Sequence, residues 1–138
     1  MPQITLNPGN IYSGNRKLSV FTNPTELAFR KGCLRNHYPV TIDGTVYPDA
    51  EAAYQQASAG YKHSAELCYA VCIEVIAQKL RQHKILMQTI RHNGGERWLS
   101  QCQHRVNGRA PRWEGDGVSS GFIRCLISAY HLLQINLI

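Results

Sequence analysis

The 138-residue chain is short of acidic side chains: nine Asp and Glu stand against fifteen Lys and Arg, a net charge of +6. Charged residues make up only 17% of the sequence, compared with roughly 25% in ordinary globular proteins. The length suits one domain with its own core and is too small for two. We therefore expect a single domain over residues 1–138, in which each carboxylate needs a separate explanation.

Long apolar runs and the features of a secretion signal are also missing. Apolar stretches such as Cys125–Ile127 are short, so none can span a bilayer. Residues Met1–Thr5 have neither the basic nor the apolar region of a signal peptide. The five cysteines form no Cys-x-x-Cys pair and fit no usual zinc spacing. These absences predict a cytoplasmic protein without a metal or a cofactor.

Common catalytic and phosphate-binding motifs are absent. The sequence contains no GxSxG, GxxxxGK[ST] or GxGxxG. Cys102 and His104 are close enough for a Cys-His arrangement, although a free cysteine is more often a small buried hydrophobe. The basic residues are dispersed and form no basic tail, so the positive charge predicts affinity for phosphate-bearing ligands, with a nucleotide as good a candidate as a duplex.

What is present begins with a β-hairpin pattern. Two β-rich runs, Tyr38–Ile42 and Thr45–Tyr47, flank Asp43-Gly44, the residues that a type I′ turn favours. Asp49 then suits the N-cap of a helix that we expect to end at Gly60. The first third of the chain is otherwise rich in turn residues and short extended candidates.

A longer helical pattern begins at Ser64. Its apolar positions recur at helical spacing from Leu67 to Leu80, and Lys79 is among the residues expected to face solvent. A break is expected near His83-Lys84, and the following helix stops at Asn93-Gly94-Gly95.

Residues 93–121 are glycine-rich and are expected to be irregular, whereas Phe122–Leu137 has the pattern of a closing core helix. We therefore predict an α+β fold, a mostly helical single domain with a small antiparallel sheet.

Glu51 is the first candidate for chemistry. It lies in the first turn of its helix, where the helix dipole favours an ionised carboxylate, and it is also explained as an ordinary first-turn acid. The neighbouring Ala50, Ala52 and Ala53 allow close packing, so Glu51 is expected to be partly buried. A buried carboxylate beside a cleft is a candidate general acid or base.

The second candidate is the segment Trp113–Gly117. Its glycines let the backbone approach a ligand closely, and Trp113 offers a flat face on which a base can stack. Asp116 between glycines is either a functional carboxylate or part of an ordinary Asp-Gly turn.

The run Val40–Gln55 resembles the hallmark of the NADAR (YbiA-like) family: two strands around a Gly turn, an aromatic-Pro pair, then Ser/Ala-Glu-His-x-aromatic-Gln. Further segments resemble the family in the same order, over roughly residues 10 to 133: Leu34–Pro39, with Phe21–Pro24 as a rival, Ile76–His83 and Trp113–Gly117. The chain departs from the pattern at Ala52, Ser58 and Ser64, where the family usually has His, Lys and Trp, and at Gly121–Arg124, which replaces a closing Asn-Arg-Leu-Gly.

The resemblance implies hydrolysis of an N-glycosidic bond at C1 of a phosphorylated ribose, in ADP-ribosylated guanine or in a riboflavin-pathway intermediate. Glu51 would then stabilise the cationic transition state or activate water, and Asp116 would contact the ribose or aid proton transfer. Trp113 would stack on the base. The further substrate-binding residues that it implies are Asn36 (Asn23 in the rival alignment), Gln55, Arg109 and Arg112.

Two alternatives come from other functional classes. One is a catalytically inactive module that binds a nucleotide, ADP-ribose or a nucleic acid. The other is a structural or partner-binding protein that uses the basic surface. The enzyme hypothesis expects Glu51, Trp113 and Asp116 to line one pocket.

Overall fold

Helices dominate the residues that the computed structural model describes, 39–104 and 111–135. The two sheets each have two antiparallel strands, β1–β2 and β3–β4. The predicted α+β fold, mostly helical with a small antiparallel sheet, is confirmed. In chain order the elements are β1 (Val40–Ile42), β2 (Thr45–Tyr47), α1 (Ala50–Ala57), a 3-10 turn (Ala59–Tyr61), α2 (Ala65–Gln82), α3 (Lys84–Asn93), α4 (Glu96–Leu99), β3 (Gln103–His104), β4 (Gly115–Asp116), a 3-10 turn (Gly117–Ser119) and α5 (Gly121–Ile135).

The hairpin turn has the predicted geometry. Asp43 and Gly44 both have positive φ, 50° and 82°, as a type I′ turn requires at its two central positions. Val40 pairs with Tyr47 across the two strands, and Val40 is fully buried against the core. The hairpin thus leads the chain directly into α1.

Helix α1 starts as predicted and stops earlier than predicted. The Asp49 side chain accepts a hydrogen bond from the Ala52 N–H (2.8 Å) and caps the helix. The helix ends at Ala57, because the chain tightens into a 3-10 turn in which the Tyr61 N–H donates to the Ser58 carbonyl (2.9 Å). Gly60 lies inside this turn and does not end the helix.

Helix α2 begins and breaks where predicted, but two of its side chains do not face as predicted. The Ser64 hydroxyl accepts from the Leu67 N–H (3.2 Å), and the chain breaks at His83 before α3. Lys79 was expected in solvent and is fully buried, since it follows Val75 and Ile76 at helical spacing on the face that packs into the core. Leu67 is 44% exposed in the first turn.

Residues 93–121 are more regular than predicted. The described part of this segment contains α4, the β3–β4 pair and a second 3-10 turn. Gly94, with φ 126°, ends α3 as expected. Trp98 and Leu99 are buried in the core, which explains why α4 is held in place although its sequence is only four residues long.

Helix α5 packs against α2 and closes the core. It is the closing core helix that the sequence predicted, and its buried residues include Phe122, Ile123, Leu126, Tyr130 and Leu133. The four cysteines in the described residues are buried and free: Cys68, Cys72, Cys102 and Cys125. The predictions for residues 10–38, and the candidate residues Asn23, Asn36 and Arg109, lie outside the described ranges.

Candidate functional site

Glu51 is half-buried in the first turn of α1, as the small residues around it predicted. Ala50 and Ala53 are both fully buried, so α1 lies close to its neighbours, and Glu51 between them is partly buried. The Asp49 cap fixes the backbone two residues earlier. The position of Glu51 is therefore set by local sequence and by close helix packing together.

Burial raises the pKa of the Glu51 carboxyl group above 4.5, because removal from water penalises the charged form. The Gln55 amide, which donates to Oε1 (3.4 Å), acts in the opposite direction, while the carboxylate of Asp49 adds to the rise. Lys62 lowers the same pKa by charge attraction. Because burial is the largest contribution, the net shift is upward, as for a group that exchanges a proton closer to neutral pH.

Lys62 was not predicted as a site residue. Its ammonium group donates to the Ser58 hydroxyl (2.8 Å) and to Gln55 Oε1 (3.2 Å). The same nitrogen lies 4.8 Å from the centre of the Tyr54 ring, within range of a cation–π contact. The 3-10 turn after α1 brings Lys62 back over the helix, and helical periodicity alone carries no signal of that turn.

Trp113 lies in an aromatic cluster with Tyr54 and Tyr69. Its ring is edge-on to both, at 5.8 Å and 84° for Tyr54 and at 5.0 Å and 81° for Tyr69. Tyr54 follows Glu51 by three residues on α1, so the cluster begins one helical turn from the candidate carboxylate. The Phe122 N–H donates to the Trp113 carbonyl (3.2 Å), which ties the tryptophan to the start of α5.

A cavity of about 240 Å³ lies on the Tyr69 side of this cluster. The Arg124 guanidinium lies 5.8 Å from the Tyr69 ring centre and donates to the Val118 carbonyl (2.6 Å). The cavity therefore combines an aromatic wall with a cation, a pairing suited to a flat, anionic ligand. Its lining residues are Tyr69, Ile73, Gly121, Arg124, Cys125 and Ser128.

The predicted residues around Trp113 have different settings. Gln55 is exposed and bonded to Glu51. Arg112 is exposed, and its carbonyl accepts from the Tyr69 hydroxyl (3.2 Å). Asp116 is exposed on β4 opposite Gln103, and it is not among the charges that shift the pKa of Glu51 within the described part of the chain. Glu51 and Gln55 thus lie on the same helix as Tyr54, whose ring contacts Trp113, and Asp116 lies on β4. Neither the cavity beside Tyr69 nor a second one between α2, α3 and α5 is lined by Glu51, Trp113 or Asp116.

Lys79 is a fully buried lysine on α2. Burial holds the pKa of Lys79 well below 10.5, and the negative charge of Asp49 partly offsets that effect. Asp49 therefore caps α1 and also favours the protonated form of the buried Lys79 amine. Lys79 was expected in solvent because it is charged, although its spacing from Val75 and Ile76 places it on the core face of α2.

Cys72 and Cys102 do not have the setting of activated nucleophiles. Burial, the adjacent Cys125 and the charge of Glu51 raise the pKa of the Cys72 thiol well above 9.0. Cys102 is buried, and its thiol donates to the Trp98 carbonyl (3.3 Å). The ring of His104 packs against Phe122, with centroids 4.5 Å apart. Cys102 thus has the setting of a core hydrophobe.

Comparison with known protein families, with curated proteins and with solved structures finds no significant match. Within residues 39–104 and 111–135, no three His, Cys, Asp or Glu side chains are grouped so that they could hold a metal ion. Among the helices of the same ranges, none combines the length and the apolar character needed to cross a bilayer.

Proposed function

We propose that this protein is an N-glycosidase that hydrolyses a ribosyl–nitrogen bond in a phosphorylated, nucleotide-like substrate, either ADP-ribosylated guanine or a riboflavin-pathway intermediate. One observation carries the proposal: Glu51 is a half-buried carboxyl group with a raised pKa, one helical turn from the Tyr54–Trp113 contact. The resemblance of residues 40–55 and 113–117 to the NADAR family supports the choice of reaction.

The reaction needs a carboxyl group close to the sugar, where a cationic transition state forms. Cleavage of a ribosyl–nitrogen bond builds positive charge on the sugar and needs a water positioned for attack. A carboxyl group whose pKa is raised exchanges a proton more readily near neutral pH than an exposed glutamate does. In this proposal the water oxygen bonds to C1 of the ribose as the C1–nitrogen bond breaks. Glu51 takes one proton of that water, and the leaving nitrogen takes a proton from solvent. Gln55, which is itself bonded to Lys62, holds the Glu51 side chain in place.

The aromatic cluster and the nearby cations supply the binding surface. Trp113 provides an aromatic surface for the base. The Tyr69 hydroxyl donates to the backbone carbonyl of Arg112, and the Arg124 guanidinium lies 5.8 Å from the Tyr69 ring centre in the adjacent cavity. Guanidinium groups suit phosphate recognition through paired hydrogen bonds. Asp116 is proposed to contact the ribose, and the reaction uses no metal or cofactor.

The test measures ADP-ribose released from a DNA oligonucleotide that carries ADP-ribosylated guanine. We expect Glu51→Gln to lower the rate by about 10²–10⁴-fold, as loss of a general base does. Glu74→Gln is the matched control, since Glu74 also accepts a hydrogen bond from a glutamine four residues later (Gln78, 3.0 Å) but is exposed on α2. Equal rates for wild type and Glu51→Gln would refute the catalytic role.

The second candidate is a binding module that no longer hydrolyses its ligand. Ala52 favours it, because the family pattern has a histidine beside the glutamate and this chain has no side-chain donor there. A rise in melting temperature with ADP-ribose, together with no turnover by wild type, supports this candidate over the enzyme. We place either activity in the cytoplasm, in keeping with four free cysteines.

A further inference from the structure

A second cavity, of about 400 Å³, lies between α2, α3 and α5 and does not include Glu51 or Trp113. Its volume falls within the usual range of small-molecule sites. One face of it comes from a single side of helix α3, which carries the lining residues Lys84, Met87, Gln88 and Arg91. The lining residues are Leu80, Arg81, Lys84, Met87, Gln88, Arg91 and Leu133.

The charge of this cavity is of one sign. Arg81, Lys84 and Arg91 are exposed cations, and none of the seven lining residues is acidic. Arg81 and Lys84 lie together where α2 passes into α3, whereas Arg91 lies two turns along α3, about 10 Å away at the helical rise per residue. Arg91 also donates to Gln134 Oε1 (3.1 Å), which orients its guanidinium at the α5 side.

The surface between the cations is apolar. Leu80, Met87 and Leu133 come from three different helices and are 1%, 6% and 5% exposed, so they form a floor and not a protruding patch. Such a floor favours the apolar part of a ligand, and the cations favour a negatively charged group at its end.

We propose that this cavity binds a small amphipathic anion, a molecule with a carboxylate or phosphate head and an apolar body. The head lies between Arg81 and Lys84, and the body lies on Leu80, Met87 and Leu133 toward Arg91. The proposal does not depend on glycosidase activity, because it rests on different residues.

The binding experiment uses the full chain and calorimetric titration with decanoate and with decyl phosphate, which separate the two head groups. We expect at least one of them to bind, and the Kd of that ligand to rise by about tenfold in Arg81→Gln and in Lys84→Gln, since each removes a charge-assisted hydrogen bond. Arg97→Gln is the matched control, because it removes an exposed helical arginine outside the cavity. We expect the ligand to bind this variant with the same Kd as wild type.

Chain length tests the apolar floor separately. Each methylene that leaves water strengthens binding by up to about fourfold, so decanoate binds more tightly than butanoate. Equal affinity for the two, equal binding of decyltrimethylammonium, or the same loss in Arg97→Gln as in Arg81→Gln overturns the proposal. It is also overturned if neither anion binds below about 1 mM, or if an oligonucleotide binds through Arg81 and Lys84 and the amphiphiles do not.

Discussion

Trp113 meets Tyr69 edge-on, with ring centroids 5.0 Å apart and planes inclined at 81°. Tyr69 lies on α2, and its hydroxyl also donates to the carbonyl of Arg112 (3.2 Å). These two contacts attach the segment before β4 to the long helix. The segment that carries Arg112, Trp113 and Asp116 is therefore positioned by a residue more than forty positions earlier in the chain.

A double-mutant cycle measures this attachment. We expect Tyr69→Leu and Trp113→Leu to be non-additive in the free energy of unfolding by about 0.5–1.5 kcal/mol, the coupling of an edge-to-face aromatic pair. Urea unfolding of the four proteins gives the value. Tyr69→Phe keeps the ring and removes the hydroxyl, so with this variant the coupling to Trp113 persists. Additive losses in the leucine cycle contradict the contact.

Local sequence was sufficient for the features that local chemistry controls. The Asp43-Gly44 turn, the Asp49 cap, the start of α2 at Ser64 and the break at His83 each depend on a few neighbouring residues, and all were predicted. The partial burial of Glu51 also followed from the alanines beside it, since small side chains allow close helix packing.

The features that sequence reasoning missed are contacts between distant residues. The burial of Lys79 depends on which faces of α2 are covered by α1, β1 and α5. The cluster of Tyr54, Tyr69 and Trp113 joins three separate segments, and Lys62 reaches the site through a 3-10 turn. Helical spacing gives no information on these pairings, so the binding surface was only partly predictable from the sequence.

The raised pKa of Glu51 predicts how stability changes with pH. A carboxyl group whose folded pKa exceeds 4.5 binds its proton more tightly when folded, so its contribution to stability is largest below pH 4.5 and is lost as the pH rises through the folded pKa. Glu51→Gln keeps an acceptor for Gln55 without the charge. We therefore expect this variant to melt a few degrees above wild type at pH 7 and to lose that advantage at pH 4.

The exposed Glu74–Gln78 pair gives the reference for that measurement. Glu74 accepts the same i, i+4 hydrogen bond but is not buried. We therefore expect the melting temperature of Glu74→Gln to differ little from that of wild type at either pH. If Glu74→Gln and Glu51→Gln change the melting temperature equally at both pH values, burial is not the cause of the Glu51 shift.

Gly121 leaves no room for a side chain at the start of α5. A Cβ there would lie 2.2 Å from the Arg112 carbonyl oxygen and 2.9 Å from the Tyr69 hydroxyl oxygen. We expect Gly121→Ala to destabilise the protein by about 1–3 kcal/mol, the usual cost of overpacking, and to weaken any ligand bound at Trp113. Gly60→Ala is the control, because nothing lies within 4 Å of its Cβ position, and a neutral or slightly stabilising effect is expected in chemical unfolding. A neutral Gly121→Ala contradicts the close approach of Tyr69 and Arg112.

Lys79 gives a pH dependence of the opposite sign to that of Glu51. Because its pKa is held well below 10.5 in the folded protein, the unfolded chain binds more protons than the folded chain between the two values. The contribution of Lys79 to the free energy of unfolding therefore increases as the pH rises toward 10.5.

Lys79→Met removes this group, and the contributions of the other ionisable residues cancel when the two proteins are compared. We expect the stability of wild type relative to Lys79→Met, measured by urea unfolding, to increase between about pH 7 and pH 9.5. If the stability of wild type relative to Lys79→Met stays constant over that range, the folded protein does not lower the pKa of Lys79, and the burial of this residue is contradicted.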